Sequence, residues 1–194
     1  MKLKEFFAPK KEKVDEEKDL IRFLSEVELF ENLTRNERRN LSQHLYERIY
    51  KEDDIVFKKG YPNVVMYIVK EGELQTFLDS TEGESLKTIK PADFFGEVGL
   101  FLEEERTATI VSSKDSILLG ISKRDMNRFI DEYPRAGSKI LRKLATVLCT
   151  HLIRTNGTLG AKRDELIDIK KHLEDCESQL QKLSDSQEVD KEKS

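Results

Sequence analysis

The chain has 194 residues, of which 37% are hydrophobic and 37% are charged, and its formal net charge at pH 7 is −4. This length and charge content predict one domain of ordinary size with charged extensions outside its core. The acidic balance argues against a nucleic-acid partner, which would require a basic surface stripe. No window approaches the roughly 20 consecutive apolar residues that cross a bilayer, so no membrane partner is expected.

The chain start lacks the apolar stretch and cleavage site of a signal peptide. Cys149 and Cys176 lack the spacing of a disulfide framework or a metal site, so we interpret them as small apolar helix residues in a reducing cytoplasm. The charged stretches 1–18 and 184–194 are expected to be a tail and a disordered tail, respectively.

The N-terminal part, from Lys18 to Tyr46, carries apolar pairs at helical spacing, which predicts short helices. Thr34 and Glu37 have the spacing of a capping box. A helix is therefore expected to begin just after Leu33.

From Ile49 to Ile121 the apolar period changes to two, with turn residues roughly every ten positions. This pattern is typical of short antiparallel strands in a barrel or sandwich, with Lys114-Asp115 interpreted as a hairpin turn. The strands are predicted at residues 55–57, 64–69, 74–78, 86–89, 107–112 and 116–121.

Helical spacing returns after Ile121, and Pro134 stands where a first-turn proline would open a longer helix. Apolar residues then recur in steps of three and four for about six repeats, which predicts a coiled coil. Asn156-Gly157 and Gly160 interrupt it, and each glycine costs roughly 1 kcal/mol relative to alanine, so we expect a hinge there. The heptad pattern includes Leu141, Ala145, Leu148, Leu152, Leu159, Leu166, Ile169, Leu173, Cys176, Leu180 and Leu183.

The segment FGEVGLFLEEERTATI, residues 95–110, contains the groups needed to bind a sugar phosphate. Gly96 lets the backbone approach a ligand and precedes one apolar helical turn, whose N-terminal N–H groups favour a phosphate. Arg106 can bind two phosphate oxygens at once, and Glu97 can accept a hydrogen bond from a sugar hydroxyl.

This segment resembles the phosphate-binding cassette of the cyclic-nucleotide-binding domain family, found in bacterial catabolite activators, cyclic-nucleotide-dependent kinases and gated channels. The resemblance extends over roughly residues 20–155, since Gly60 and Gly72 also fall where the family has glycines. It implies an α+β fold: an antiparallel β-roll (double-stranded β-helix or jelly roll) flanked by N-terminal helices and a long C-terminal helix.

The resemblance implies that the ligand is cAMP or cGMP, without a further cofactor or metal. Glu97 would bind the ribose 2′-hydroxyl and Arg106 the cyclic phosphate, with backbone N–H groups completing the phosphate cage. Thr107, with the basic Lys87 on the preceding strand, resembles cGMP-preferring sites, but bacterial cAMP receptors also tolerate hydroxyl residues at this place, so the preferred purine stays open. The ligand-binding residues are predicted to be Gly96, Glu97, Val98, Arg106, Thr107 and Ala108, and the candidates for base contacts are Lys87, His151, Leu152 and Thr155.

Two positions depart from the family: Glu105 stands where proline is common and Ala92 where a second glycine is common. The run Glu103-Glu104-Glu105 places three carboxylates near the expected phosphate, and like charges would reduce affinity. The run is either a solvated loop tip or a loop that moves when ligand binds.

Several alternatives compete with this interpretation. Glu97 and Arg106 could form a partly buried ion pair that needs no ligand. A metal-dependent cupin enzyme would need clustered histidines, whereas His44, His151 and His172 lie on separate predicted helices. No nucleophile–base pair or nucleotide-triphosphate loop is present, so no enzyme is predicted. A catabolite-activator-type transcription factor would need a helix-turn-helix domain, whereas a coiled coil is predicted after the β-roll. A channel would need membrane spans, which are not predicted, so neither class is expected.

The expected organisation is a β-roll with flanking helices at 19–133, followed by a lid helix at 134–183 that continues into a coiled coil. The helix is expected to form a parallel homodimer and to cover the purine near 148–155, as it does in the resembling family. The predicted function is a cyclic-nucleotide sensor that signals through its dimer or a protein effector. The alternative is a ligand-free dimerising scaffold that keeps only the fold.

Overall fold

The computed structural model describes the backbone of residues 10–78, 81, 83 and 85–191, and the side chains of residues 15–170 within those ranges except 161. The predicted tails therefore fall partly outside it, and so do the side chains of His172 and of the predicted heptad positions from Leu173 to Leu183. The chain divides into two compact units, Met1–Leu144 and Ala145–Ser194.

The N-terminal part is helical, as predicted. Helix α1 spans Lys10–Phe23 and therefore begins inside the stretch expected to be a tail. A 3-10 helix at Glu28–Phe30 and helix α2 at Arg35–Ser42 follow. The capping box is confirmed, because the Thr34 hydroxyl accepts from the Glu37 N–H and the Glu37 carboxylate accepts from the Thr34 N–H.

Eight strands form two four-stranded antiparallel sheets, ordered β1-β8-β3-β6 and β2-β7-β4-β5, which confirms the predicted β-roll. Strand β6 is only two residues long, and β1 exposes its three central residues, so neither shows the alternation that predicts a strand. The strands are β1 Tyr46–Tyr50, β2 Ile55–Phe57, β3 Val65–Glu71, β4 Leu74–Phe77, β5 Lys87–Ile89, β6 Phe94–Phe95, β7 Thr109–Ser112 and β8 Ser116–Ser122.

The predicted hairpin turn at Lys114-Asp115 is wrong, because β7 and β8 belong to different sheets. The segment is instead a corner where the chain crosses between the sheets. The hydroxyls of Ser112 and Ser116 both donate to the carbonyl of Lys114 at 2.8 Å. Side-chain hydrogen bonds therefore fix a bend that in a hairpin would be fixed by strand pairing.

The core has two parts that share the first sheet. Residues on one face of this sheet, such as Met66 and Ile121, pack with helix residues such as Phe129. Residues on its other face, such as Tyr67 and Leu118, pack with the second sheet inside the roll. Strand β3 is consequently buried on both faces, which explains its continuous apolar sequence.

Helix α3 spans Lys123–Glu132, and helix α4 spans Pro134–Lys191. The predicted opening of α4 by Pro134 is confirmed. Its helical conformation continues through the glycines where a hinge was expected and past the predicted end at residue 183. Within the second unit, Val147 is buried. The following large apolar side chains of this unit are exposed: Leu148, Leu152, Ile153, Leu159, Leu166, Ile167 and Ile169. Among the described helices, none combines the length and apolarity that a membrane span requires.

Candidate functional site

The predicted cassette begins at Gly96, which joins β6 to a 3-10 helix at Glu97–Leu100. Gly96 has φ +78°, in the left-handed region that favours glycine. A Cβ atom at this position would collide with Nη1 of Arg106 and lie 2.9 Å from the carbonyl oxygen of Val65. Glycine is thus required here both by backbone conformation and by the close approach of Arg106.

Arg106 is held in place by the backbone of the Lys59-Gly60-Tyr61-Pro62 turn. Its N–H donates to the carbonyl of Tyr61, and its own carbonyl accepts from the N–H of Gly60, both at 2.8 Å. The turn glycine noted in the sequence therefore lies directly beside the arginine. This pairing fixes where the Arg106 side chain enters the roll.

The Arg106 guanidinium is buried, with only 6% of the residue exposed. Its Nη2 donates to the carbonyl of Val65 at 2.7 Å, and its Cζ lies 3.8 Å from the centroid of the Phe57 ring. Its Nε and Nη1 have no hydrogen-bond partner among the described residues. Each unpaired buried donor costs about 1–3 kcal/mol. An acceptor that bound these two nitrogen atoms would therefore stabilise the side chain.

Burial lowers the pKa of Arg106, while Tyr67, Tyr46 and Glu97 act in the opposite direction. An arginine nevertheless stays charged at neutral pH. The site therefore presents a desolvated positive charge with two unpaired donor atoms, Nε and Nη1, which complement an anion with several oxygens.

Glu97, on the first turn of the 3-10 helix, is half-buried. Its charge acts on Arg106, but no hydrogen bond or ion pair within 4.0 Å joins the two side chains in the described part of the chain. The ion pair considered as an alternative is thus not formed in this structure. The carboxylate can accept a hydrogen bond from another group.

The remaining predicted ligand residues lie at the ends of the same segment. Val98 is 38% exposed on the 3-10 helix. Thr107 is exposed and Ala108 half-buried, between Arg106 and strand β7. The structure therefore brings Gly96 and Glu97 close to the Arg106 side chain, and Thr107 and Ala108 directly follow Arg106 along the chain.

Lys87, a predicted base contact, lies in β5 opposite Thr76 of β4, which in turn lies opposite Ile110 of β7. Directly paired residues of antiparallel strands share a sheet face. Lys87 is therefore on the face that Ile110 turns towards the roll interior, although its side chain is exposed. The other base candidates, His151, Leu152 and Thr155, are exposed residues of α4 in the second unit.

The acidic run 103–105 is exposed, and its backbone is tied to the turn before β3. The Asn63 N–H donates to the Glu104 carbonyl at 3.3 Å, and Glu105 bridges to Pro62. The Glu103 carboxylate lies 3.6 Å from the Lys123 ammonium. The other departure from the family pattern, Ala92, has φ +70°, so an alanine here adopts a conformation suited to glycine.

Sequence reasoning missed an aromatic cluster formed by Phe57, Tyr67 and Phe95. The ring centroids are 5.6 Å apart for Tyr67 and Phe95, 5.8 Å for Phe57 and Phe95, and 6.4 Å for Phe57 and Tyr67. Burial, followed by the neighbouring Tyr67 hydroxyl, raises the pKa values of Tyr46 and Tyr50 to about 12. A single aromatic residue in a strand looks like any core position, so the sequence contained no distinguishing signal for this cluster.

The structure describes the side chains of two histidines, His44 and His151. His44 packs edge-on against Phe129 and lies 3.9 Å from a Glu132 oxygen, whereas His151 is in the second unit. Within the described residues, no group of three or more histidine, cysteine, aspartate or glutamate side chains could hold a metal.

Comparisons with known proteins show which family and which fold this chain resembles. Residues 47–133 match the sequence model of the family described as "Cyclic nucleotide-binding domain". The chain is 30% identical over 142 residues to the cyclic nucleotide-gated channel beta-3 of Mus musculus, covering 72% of this chain and 20% of the channel. It is 32% identical over 108 residues to a cAMP-dependent protein kinase regulatory subunit of Colletotrichum orbiculare, covering 56% and 27%. The chain thus spans about a quarter or less of these curated relatives.

Solved structures show the same fold. The catabolite activator protein of Thermus thermophilus is 26% identical with a TM-score of 0.61, covering 68% of this chain and 61% of that one. The regulatory domain of Toxoplasma gondii PKA, solved with cAMP, is 22% identical with a TM-score of 0.57, covering 69% and 51%. The solved structures that resemble this chain thus include transcriptional regulators and kinase regulatory domains.

Proposed function

We propose that this chain, whose residues 47–133 form a domain of the cyclic nucleotide-binding family, binds cAMP or cGMP and acts as a cytoplasmic regulatory sensor. The observation that supports this most is the buried Arg106 guanidinium with two unpaired donors. A cyclic nucleotide supplies a phosphate with exposed oxygens that would accept from them.

In this proposal the cyclic phosphate binds Arg106 and the backbone N–H groups near Gly96, Thr107 and Ala108. Glu97 accepts a hydrogen bond from the ribose 2′-hydroxyl, and Val98 lies beside the sugar. Support comes from the close approach of Gly96 to the Arg106 side chain. It also comes from the lack of an Arg106–Glu97 ion pair among the described residues, which leaves both side chains available.

Contacts with the purine are proposed for Lys87 and for His151, Leu152 and Thr155 of helix α4. Lys87 lies on the sheet face that lines the roll interior, which supports a contact with a base held inside the roll. Its ammonium can donate to the carbonyl oxygen of guanine, whereas adenine presents an amino group. We therefore propose Lys87 as a discriminator in favour of cGMP.

The output is proposed to be a parallel homodimer formed through α4, coupled to an unidentified protein effector. The heptad pattern and the exposed leucines and isoleucines between residues 148 and 169 support pairing with a second copy. If nucleotide favours one helix arrangement over another, binding shifts the populations of the two. No catalytic role is proposed.

A ligand-free scaffold is the second candidate, because the exposed apolar positions of α4 could pair without any nucleotide. Isothermal titration of the full chain with cAMP and with cGMP separates the two proposals, with the non-cyclic 5′-AMP as the control nucleotide. The sensor requires saturable binding of a cyclic nucleotide and much weaker binding of 5′-AMP. If neither cyclic nucleotide bound, the sensor proposal would be contradicted and the scaffold proposal would remain.

Sedimentation tests the dimer. We expect the full chain to be dimeric at micromolar concentration and a version that ends at Thr155 to be monomeric, with the dimer population responding to added nucleotide. A monomeric full chain would contradict the dimer. Association that is the same with and without nucleotide would contradict the coupling while leaving the dimer in place.

A further inference from the structure

Phe57 covers one face of the Arg106 guanidinium, and nothing in the family pattern of the sequence pointed to it. The Cζ atom of Arg106 lies 3.8 Å from the centroid of the Phe57 ring, which is a stacking distance. We infer that Phe57 is a positioning residue that holds Arg106 ready for the cyclic phosphate. This inference rests on the proposed nucleotide binding.

The stacked arrangement leaves the ligand-binding edge of the guanidinium free. All five N–H groups of an arginine lie in the plane of its guanidinium, so a ring on the face does not compete with an acceptor at the edge. One edge group, Nη2, is used by the Val65 carbonyl, and Nε and Nη1 have no partner among the described residues. Phe57 and Val65 therefore fix the plane without satisfying the donors that a phosphate needs.

A local irregularity in β2 places Phe57 in this position. Ile55 lies opposite Val111, but Phe57 lies opposite Ile110, so two steps along β2 correspond to one step along β7. In a regular strand, Phe57 would share the face of Ile55, which is 43% exposed. The bulge instead puts Phe57 on the face of Ile110, which packs inside the roll.

The Phe57 ring is itself supported by the cluster behind it. Phe95 and Tyr67 pack against it at centroid distances of 5.8 and 6.4 Å. Aromatic side chains lose little freedom when packed in this way, so the ring offers Arg106 a fixed surface. A guanidinium fixed before binding spends less conformational entropy when the phosphate arrives.

The test compares Phe57→Leu, which removes the ring but keeps an apolar side chain, with Phe57→Tyr, which keeps the ring. Titration with cAMP and cGMP should give Phe57→Leu a roughly 3- to 30-fold lower affinity than the wild type for the nucleotide that binds. Phe57→Tyr should stay within about twofold of the wild type. The matched control is Phe77→Leu, the same change at a buried residue of β4 in the same sheet, which should leave affinity unchanged.

A second readout uses the ligand-free protein. The Arg106 Nε–H resonance, identified by its loss in Arg106→Lys, should be shifted by the ring current of Phe57. The shift should disappear in Phe57→Leu and persist in Phe57→Tyr. Should Phe57→Leu fail to fold, Phe57→Met takes its place with the same expected results.

The outcomes separate the two proposals. If the wild type binds neither cyclic nucleotide, the proposed function fails, and the resonance still shows whether Phe57 holds Arg106. If the wild type binds but Phe57→Leu binds equally well, Phe57 has no positioning role while the proposed function stands. An unshifted Arg106 resonance in the wild type would also overturn the inference.

Discussion

Three cations of the first unit, Arg106, Lys139 and Lys143, are held in two different ways. Arg106 is almost completely buried and is held by uncharged groups, the Phe57 ring and the Val65 carbonyl. Lys139 and Lys143, in the first turns of α4, are paired with carboxylates. Lys139 donates to both oxygens of Glu37 at 2.7 and 3.0 Å, and Lys143 contacts Glu28 and Glu31 at 3.0 and 2.8 Å.

The difference supports the proposal that Arg106 is a binding group, whereas the two lysines have a structural role. Lys139 and Lys143 attach the first turns of α4 to the N-terminal helices through ion pairs. Glutamate carboxylates therefore already balance their charges. Arg106 has no carboxylate partner within 4.0 Å in the described part of the chain, so its burial costs free energy that the fold does not recover by pairing. Such an arrangement is expected for a cationic side chain that binds an anionic ligand from solution.

Removing the unpaired cation should have the largest effect. We expect Arg106→Ala to lose about 2–5 kcal/mol of nucleotide binding, because the phosphate would be desolvated without its cation. The folded state should survive, since the substitution removes a charge that is buried without a counter-ion. Calorimetric titration and thermal unfolding measure the two effects, with the exposed Arg35→Ala as the control. Unchanged affinity in Arg106→Ala would refute the site assignment.

Replacing the second predicted ligand group should have a smaller effect. Glu97→Gln keeps an acceptor oxygen but turns a charge-assisted hydrogen bond into a neutral one, so affinity should fall by roughly 1 kcal/mol. The 2′-deoxy form of the nucleotide lacks the hydroxyl and should bind the wild type and Glu97→Gln equally. A loss as large as that of Arg106→Ala would show that the roles of the two residues are misassigned.

The sequence pointed to the residues that are proposed to bind the ligand, but it did not point to the residues that hold them in place. Gly96, Glu97 and Arg106 were identifiable because their chemistry depends on residue type at fixed spacing within one segment. Phe57 was not, because its position depends on a one-residue bulge and on pairing with a strand far along the chain. The corner at Lys114-Asp115 was misjudged for the same reason, since turn residues do not reveal whether the next strand joins the same sheet.

The helix partners of the lysines were also beyond the sequence pattern. Glu37 was identified through its capping box with Thr34, which is local. Its second role, as the partner of Lys139, joins residues that are distant along the chain and is decided by how α4 packs. Local motifs were therefore predictable and long-range pairs were not.

Breaking the Lys139–Glu37 pair should give the smallest and most specific effect. Burial raises the pKa of Glu37, but hydrogen bonds from Lys139 and Thr34 outweigh it and leave the pKa below its ordinary value of 4.5. A carboxylate with a lowered folded-state pKa stabilises the fold above its unfolded-state pKa, and this stabilisation disappears as the pH falls through the folded-state pKa. Since the pair is partly exposed, we expect Lys139→Met to cost at most about 1 kcal/mol at pH 7.

The stability cost of Lys139→Met should diminish below pH 4.5. Once Glu37 is protonated, it no longer gains from Lys139 in the wild type, so the substitution removes less. Denaturant unfolding of wild type and Lys139→Met at pH 7 and in acid measures the change, and nucleotide affinity at pH 7 should be equal for the two. Lys18→Met is the matched control, because its partner Asp15 and the lysine are both more than half exposed. A stability difference that stays constant with pH would mean that Lys139 acts through packing and not through charge. Reduced nucleotide affinity in Lys139→Met would contradict the claim that the paired lysine has only a structural role.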